Sequence, residues 1–202
     1  MFTQALAAWL AFLASLGVDM QLNPPASEER IAAAESEIGF RLPDDLRALY
    51  GVADGQREPS EIVPGAGFSA TGFFFGRYAF ASLEEALTEY RAWREIHDEA
   101  GEAFASTYDW TRARAGDAVH PDYWRPGWFP FATDGGGNSY AVDLSPPPGG
   151  TYGQVIVIGR DEDERRVLAP GLTEFLRQTA QRAPQVAERD GRFVSFDMEP
   201  RS

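Results

Sequence analysis

The stretch at residues 131–144, "FATDGGGNSYAVDL", places three consecutive glycines between two carboxylates. A phosphate-binding loop also uses a glycine run, but a helix must follow the glycines so that its amino terminus meets the phosphate. Here the run leads into a β-prone segment, and the chain contains no lysine. The stretch therefore predicts a tight hairpin in which glycines take unusual dihedral angles and Asp134 and Asn138 bond to the turn backbone.

A calcium loop is the main alternative for the same stretch, since Asp134, Asn138 and Asp143 all carry oxygen ligands. An EF-hand loop, however, places its oxygens at alternate positions and ends in a bidentate glutamate, and this stretch does neither. The charged run "RDEDERR" at 160–166 also clusters oxygens, and a charged hairpin turn explains it better. We therefore expect no metal site.

The segments on both sides of the glycine run define the fold class. The runs "WFPFAT", "NSYAVDL" and "QVIVIG" are β-prone and are joined by turn-rich loops, which is typical of an antiparallel meander. Helices are predicted after the cap at Ser27, after Pro43, after the capping box of Ser82 and Glu85, and over "LTEFLRQTA". These patterns together predict an α+β fold, with a mainly antiparallel sheet packed with helices.

The two ends of the chain differ from this central pattern. Residues 1–19 predict an amphipathic helix, because apolar residues recur along one helical stripe, namely Leu6, Trp9, Leu10, Leu13 and Leu16. The segment lacks the positive charge of a signal peptide and is too short to span a bilayer. We expect the main domain at 20–182 and a tail or edge strand at 183–202, where "RFVSFDM" lies.

Composition excludes several functional classes. The 202 residues contain no cysteine, which removes disulfides, cysteine nucleophiles and thiolate metal sites and favours the cytoplasm. The net charge of −13 opposes binding to nucleic acid and suits a basic partner. The two histidines, His97 and His120, lie on separate segments and fit no zinc motif, and no "GxSxG" elbow is present. We predict no catalytic residue, no cofactor and no membrane contact.

Residues 98–127 show no sustained periodicity and concentrate aromatic side chains, among them Trp110, Tyr123 and Trp124. A stretch of this kind indicates either a functional insertion or short elements that the pattern does not reveal. Its aromatic residues would suit a sugar platform or a hot spot for a protein partner. We expect about half of them to belong to the core.

Several segments follow one another in the order seen in one protein family: "LNPPASEERIAAAESEIGFRLPDDLRALYGVADGQ", "YRAWREI", "WFPFATDGGGNSYAVDL" and "GQVIVIGRDEDERRVLAPGLTEFL". Over about residues 20–180 the chain resembles the fungal Smi/Knr cell-wall assembly regulators and their bacterial relatives, the SUKH superfamily. The chain departs from this branch in "VADGQ", where a histidine commonly precedes the aspartate, and in the irregular insert at 98–122.

The resemblance implies an α+β domain with no known catalytic activity. Bacterial members are taken to neutralise toxins, often nucleases, whereas fungal members are regulatory scaffolds. We therefore predict a non-enzymatic protein-binding module, first as an immunity protein against a basic toxin domain, alternatively as a regulatory scaffold, and third as a carbohydrate-binding protein. Partner contacts are predicted at Asp54, Gln56, Trp128, Asp134, Asn138 and Asp143, which match the family's pattern, and at Trp124 in the aromatic insert.

Overall fold

The computed structural model describes residues 1–15, 21–57, 78–101 and 103–182, together with two short strands near the carboxyl terminus. The helices are α1 (Phe2–Ser15), α2 (Glu28–Ile38), α3 (Asp44–Tyr50), α4 (Leu83–Ala100), α5 (Ala103–Thr107) and α6 (Leu172–Arg182). The strands are β1 (Ala79–Phe80), β2 (Arg112–Ala113), β3 (Trp128–Thr133), β4 (Asn138–Asp143), β5 (Gln154–Gly159), β6 (Glu164–Ala169), β7 (Glu188–Arg189) and β8 (Arg192–Phe193).

Six strands form one sheet in the order β1-β3-β4-β5-β6-β2. Every neighbouring pair is antiparallel except β2 and β6, which run parallel. This arrangement confirms the predicted α+β fold with a mainly antiparallel sheet. Strands β7 and β8 pair with each other in a separate two-stranded sheet, within the segment predicted as a tail or edge strand.

The glycine run forms the turn between β3 and β4, as predicted. The backbone N–H of Asp134 donates to the carbonyl of Asn138 at 3.0 Å, and Asp134 Oδ1 accepts from the N–H groups of Gly136 at 2.7 Å and Asn138 at 3.1 Å. Gly135 and Gly137 take φ values of 69° and 97°, which favour glycine. The aspartate therefore closes the turn on its own backbone.

Asn138 also joins this turn to the next hairpin. Its Oδ1 accepts from the N–H of Asp161 at 3.0 Å, and its Nδ2 donates to the carboxylates of Asp134 at 2.9 Å and Asp161 at 3.2 Å.

Within the described ranges, no group of three or more histidine, aspartate or glutamate side chains is placed to hold a metal ion.

The central strands are covered on both faces, since every residue of β4 and β5 is buried. Helix α4 packs on β3, while α6 packs on β5, β6 and α1. The Ser27 cap and the Ser82–Glu85 capping box are both formed as predicted. The α1 stripe is confirmed for Leu6, Trp9 and Leu13, which are buried; Leu10 is half-buried, and Leu16 lies outside the described residues.

Two parts of the sequence prediction need correction. The charged run at 160–166 forms a hairpin turn only in its first part, because Glu164, Arg165 and Arg166 already belong to β6. The irregular stretch at 98–127 contains the end of α4, all of α5 and strand β2, each too short for periodicity to reveal. The aromatic, glycine-bounded segment 71–80, "TGFFFGRYAF", predicts a strand or a strand pair, and of this segment residues 78–80 are described and contain β1.

No helix in the described part of the chain combines the length and the apolar character needed to cross a membrane.

Helix α4 places a half-buried carboxyl group against the sheet. The Ser139 hydroxyl on β4, which is fully buried, donates to Glu89 Oε1 at 2.5 Å. Burial raises the pKa of Glu89, the hydrogen bond from Ser139 lowers it in part, and the charge of Asp134 raises it further. Ionisation of Glu89 therefore costs more in the native state than in the unfolded chain.

Glu89→Gln should raise the free energy of unfolding at neutral pH, because a neutral amide still accepts the Ser139 hydrogen bond without the cost of a desolvated charge. A raised native pKa stabilises the fold below the ordinary glutamate value of 4.5, and this contribution is lost as pH rises through the native pKa. The gain should therefore disappear below pH 4.5. Urea unfolding across a pH series measures it, with Glu95→Gln at an exposed position of α4 as the control. Identical pH profiles for the two variants would contradict the prediction.

Candidate protein-binding site

The predicted contact residues Asp54 and Gln56 hold the start of α4 in place. Asp54 Oδ1 accepts from the N–H of Leu83, the first residue of α4, at 2.8 Å, and its second oxygen pairs with Arg30 of α2. The N–H of Gln56 donates to the carbonyl of Phe80 at 2.7 Å. Asp54 and Gln56 are 5% and 8% exposed, so most of their surface is already used inside the molecule.

Gly55 lies between them at a close backbone approach. A Cβ atom built at this position would lie 2.4 Å from the backbone nitrogen of Ser82, and φ is +87°. Both facts exclude a larger residue, because the obstacle is backbone and the dihedral angle disfavours any side chain. The "DGQ" motif therefore fixes where α4 begins.

Asp143 belongs to a buried polar network. It is fully buried, with Oδ1 accepting from the N–H of Ser145 at 3.0 Å and Oδ2 accepting from Gln154 Nε2 at 3.1 Å. Burial raises the pKa of Asp143 despite these two hydrogen bonds. Gln154 Nε2 also donates to the carbonyl of Ala118 at 2.8 Å, so the network ties the insert to the sheet.

The remaining predicted residues are also mostly internal. Trp124 and Trp128 are 2% and 0% exposed, Asn138 is buried, and Asp134 is half-buried in the turn it closes. The structure thus brings together Asp134 and Asn138 in the turn, and Trp128 and Asp143 as neighbours across β3 and β4. Asp54 and Gln56 instead bond to Leu83 and Phe80. Their role in partner contact stays a prediction.

An open cleft lies between the end of α4 and the segment 108–126. We call it the aromatic cleft, and its volume is about 490 Å³. It is lined by His97, Gly101, Phe104, Tyr108, Asp109, Thr111, Pro121, Asp122, Tyr123, Trp124, Arg125 and Pro126.

Packed rings form most of this cleft. Tyr108 and Tyr123 stack with centroids 4.1 Å apart, and Trp110 meets both edge-on, at 5.4 Å and 6.1 Å. His97 packs edge-on against Trp124 at 5.6 Å. Trp110 is 50% exposed whereas Trp124 is 2% exposed, which confirms that the aromatic residues divide between core and surface.

Arg165 supports the cleft from inside. Its side chain is fully buried and donates to the carbonyls of Asp122 at 3.0 Å, Tyr123 at 2.7 Å and Glu162. The guanidinium carbon lies 5.5 Å from the ring centroid of Tyr123, a cation–π distance. Burial lowers the pKa of Arg165 to about 10, which still leaves it charged at neutral pH.

Sequence reasoning missed Arg165 because it lies in a run of charged residues that predicts a solvated turn. The signal available in the sequence was the apolar "VLA" that follows at 167–169, which is compatible with a strand beginning within the charged run. The spacing of His97 from Tyr90 and Trp93 along α4 predicts that it faces inward. Its half-buried ring packs against Phe104 and Trp124 in the cleft.

Carboxylates outnumber free cations at the cleft. Asp122 pairs with Arg125 at 2.8 Å, and the Asp122 side chain remains 43% exposed. Asp109 is exposed and makes no hydrogen bond or ion pair with any residue that the structure describes. The lining therefore presents one unpaired carboxylate, and the exposed Trp110 follows it in the chain.

The comparison with known families identifies the class of protein to which this domain belongs. The model of the SMI1 / KNR4 family (SUKH-1) matches residues 25–178, and the chain belongs to this family. The match lies within the domain predicted at 20–182.

The chain is similar to three fungal proteins. It is 34% identical over 162 residues to the cell wall biosynthesis/cell cycle regulator smi1 of Schizosaccharomyces pombe, covering 77% of this chain and 30% of that protein. It is 28% identical over 180 residues to the cell wall assembly regulator SMI1 of Saccharomyces cerevisiae, covering 77% of this chain and 34% of that protein. It is 29% identical over 189 residues to the glucan synthesis regulatory protein of Neurospora crassa, covering 80% of this chain and 34% of that protein.

The chain therefore spans about a third of the length of these relatives. Their names describe regulators, and none of the three names an enzymatic activity.

Gly55→Ala should lower the free energy of unfolding by about 3 kcal/mol, which combines an unfavourable dihedral angle with backbone overlap. Gly39→Ala is the matched control, since Gly39 has φ +78° with no atom within 4 Å of its added Cβ. The control should lose only about 1 kcal/mol, the conformational cost alone. Urea unfolding measures both variants, and equal losses would show that the approach to Ser82 is unimportant.

Arg165→Met should lower the free energy of unfolding by about 3 kcal/mol, because several buried carbonyls lose a donor together. Tryptophan emission of the folded variant should also shift to longer wavelength as water reaches Trp124 and Trp128. Arg112→Met, at an exposed position of β2, is the control and should change stability by less than about 0.5 kcal/mol. Similar values for the two variants would contradict the supporting role of Arg165.

Proposed function

We propose that this chain is a non-enzymatic protein-binding module that acts as a regulatory scaffold. Two findings support the proposal: the chain belongs to the SMI1 / KNR4 family, and the relatives described above are named as regulators of cell wall or glucan synthesis. A scaffold works by bringing partners together, so it needs a surface for contact rather than a catalytic constellation.

The observation that carries the proposal is the exposed Trp110, which packs against Tyr108 and Tyr123 of the aromatic cleft. A tryptophan that is 50% exposed leaves a large apolar surface in water, and such side chains dominate the energy of protein interfaces. Trp110 is already fixed by Tyr108 and Tyr123, so little side-chain entropy remains to be lost on binding.

The residues predicted as contacts take a supporting role in this proposal. Trp124 contributes the buried base of the cleft, and Asp143 anchors the insert through Gln154 and Ala118. Asp54 fixes the first turn of α4, the helix whose other end lines the cleft, and Gln56 bonds to Phe80 of β1 shortly before this helix. The partner then meets the surface that these residues build.

Trp110→Ala should abolish regulation in the source cell, because it removes a surface contact, and it should lower the free energy of unfolding by only about 1 to 2 kcal/mol through its lost contacts with Tyr108 and Tyr123. The measurement is growth under an inhibitor of cell-wall synthesis, in cells whose own copy of the gene is replaced by the variant. Tyr152→Ala is the matched control, since Tyr152 is also 50% exposed but its hydroxyl donates to the carbonyl of Arg41, which does not line the cleft. The proposal fails if both variants support growth as the unaltered chain does.

Neutralisation of a basic toxin domain is the second candidate function, and the net charge of −13 favours it. An acidic domain is steered toward a basic cleft such as the active site of a nuclease. The fungal relatives support the regulatory function instead. Co-expression with a toxin encoded beside the gene separates the two: rescued growth and a stable complex would favour immunity.

A further inference from the structure

We infer that the aromatic cleft receives a cationic side chain, an arginine or lysine in a basic segment of the partner protein. This inference rests on the proposed protein-binding function and names the chemistry that the partner presents. It is carried by one unpaired carboxylate of the lining and by the exposed ring of Trp110, which follows it in the chain and packs edge-on against two tyrosines of the lining.

The carboxylate is Asp109. It lines the cleft and has no partner among the residues that the structure describes. Asp122, the other carboxylate of the lining, is paired with Arg125 but keeps 43% of its side chain exposed, so a second donor has access to it. Asp98, which contacts His97 of the lining at 3.1 Å, is paired with Arg94 at 4.0 Å. An incoming cation therefore meets the free carboxylate of Asp109 and the exposed part of Asp122.

The ring is Trp110, which follows Asp109 in the chain and leaves half of its surface in water. A cation within about 6 Å of an indole face is attracted by the ring quadrupole, and indole is the strongest of the aromatic side chains in this respect. A cation–π contact is already present on the inner side of the cleft, because the guanidinium carbon of Arg165 lies 5.5 Å from the ring centroid of Tyr123. The stacking of Tyr123 on Tyr108 uses the rest of that ring, so Trp110 is the ring with free surface.

Charge complementarity selects a basic peptide rather than a glycan. A neutral sugar would gain stacking on Trp110 but nothing from the unpaired charge of Asp109. A basic segment gains from both, and the net charge of −13 also raises its rate of association.

A phage-displayed library of random twelve-residue peptides, selected on the full chain and counter-selected on the Trp110→Ala variant, tests the inference. The enriched peptides should carry arginine or lysine. A synthetic copy of the strongest peptide should bind at least about fivefold more weakly to Asp109→Asn, and about fivefold more weakly when citrulline or glutamine replaces its cation. Asp44→Asn, with a side chain 88% exposed outside the cleft, is the matched control and should bind normally.

The outcomes separate the inference from the proposed function. Peptides that depend on Trp110 but not on Asp109 or on their own cation would overturn the inference and leave protein binding at the cleft intact. A library that yields no peptide dependent on Trp110 would overturn both. Binding of a β-1,3-glucan pentasaccharide, lost in Trp110→Ala and retained in Asp109→Asn, would also overturn the inference in favour of carbohydrate recognition.

Discussion

The buried guanidinium of Arg165 connects the segment 108–126 to the sheet, and the surface of the cleft depends on this connection. Its donors hold the carbonyls of Asp122 and Tyr123, so the backbone of the loop is bound to β6 although the loop contains little regular structure. Tyr123 then fixes Tyr108, which in turn positions Trp110. One charged residue inside the domain thus determines where an aromatic residue stands on its surface. A desolvated charge is normally costly, and here the carbonyl oxygens and the faces of Tyr123 and Trp128 offset that cost.

The residues that make the chain recognisable as a family member build the framework of the domain. Asp54 and Gly55 fix the amino terminus of α4, Asp134 and Asn138 close one hairpin and join it to the next, and Asp143 anchors the insert. Framework residues of this kind tell which fold is present and leave open which partner is bound. The insert, where the chain departs from its branch, forms much of the cleft.

Sequence patterns predicted the framework well because its determinants are local. The capping box at Ser82, the glycine turn after Asp134 and the apolar runs of β3 to β5 each act over a few residues, so their spacing is visible in the chain. Local patterns could not predict the cleft, because its formation requires Arg165 to bond to carbonyls about forty residues away in the chain. Strand β6 was missed for a related reason: its charged residues resemble a turn until tertiary contacts show that Arg165 faces inward.

The shortness of the outer strands limits how a partner can dock. Strands β1 and β2 at the two edges of the six-stranded sheet contain two residues each, and the N–H of Val167 on β6 is already bonded to the Asp117 carboxylate. In the described residues, neither edge offers the long unpaired backbone that an added strand from another protein needs. Recognition by backbone pairing, which tolerates many sequences, is thereby disfavoured. With a partner at the proposed cleft, association is read through side chains, and a new partner preference needs changes only in a few residues of the insert.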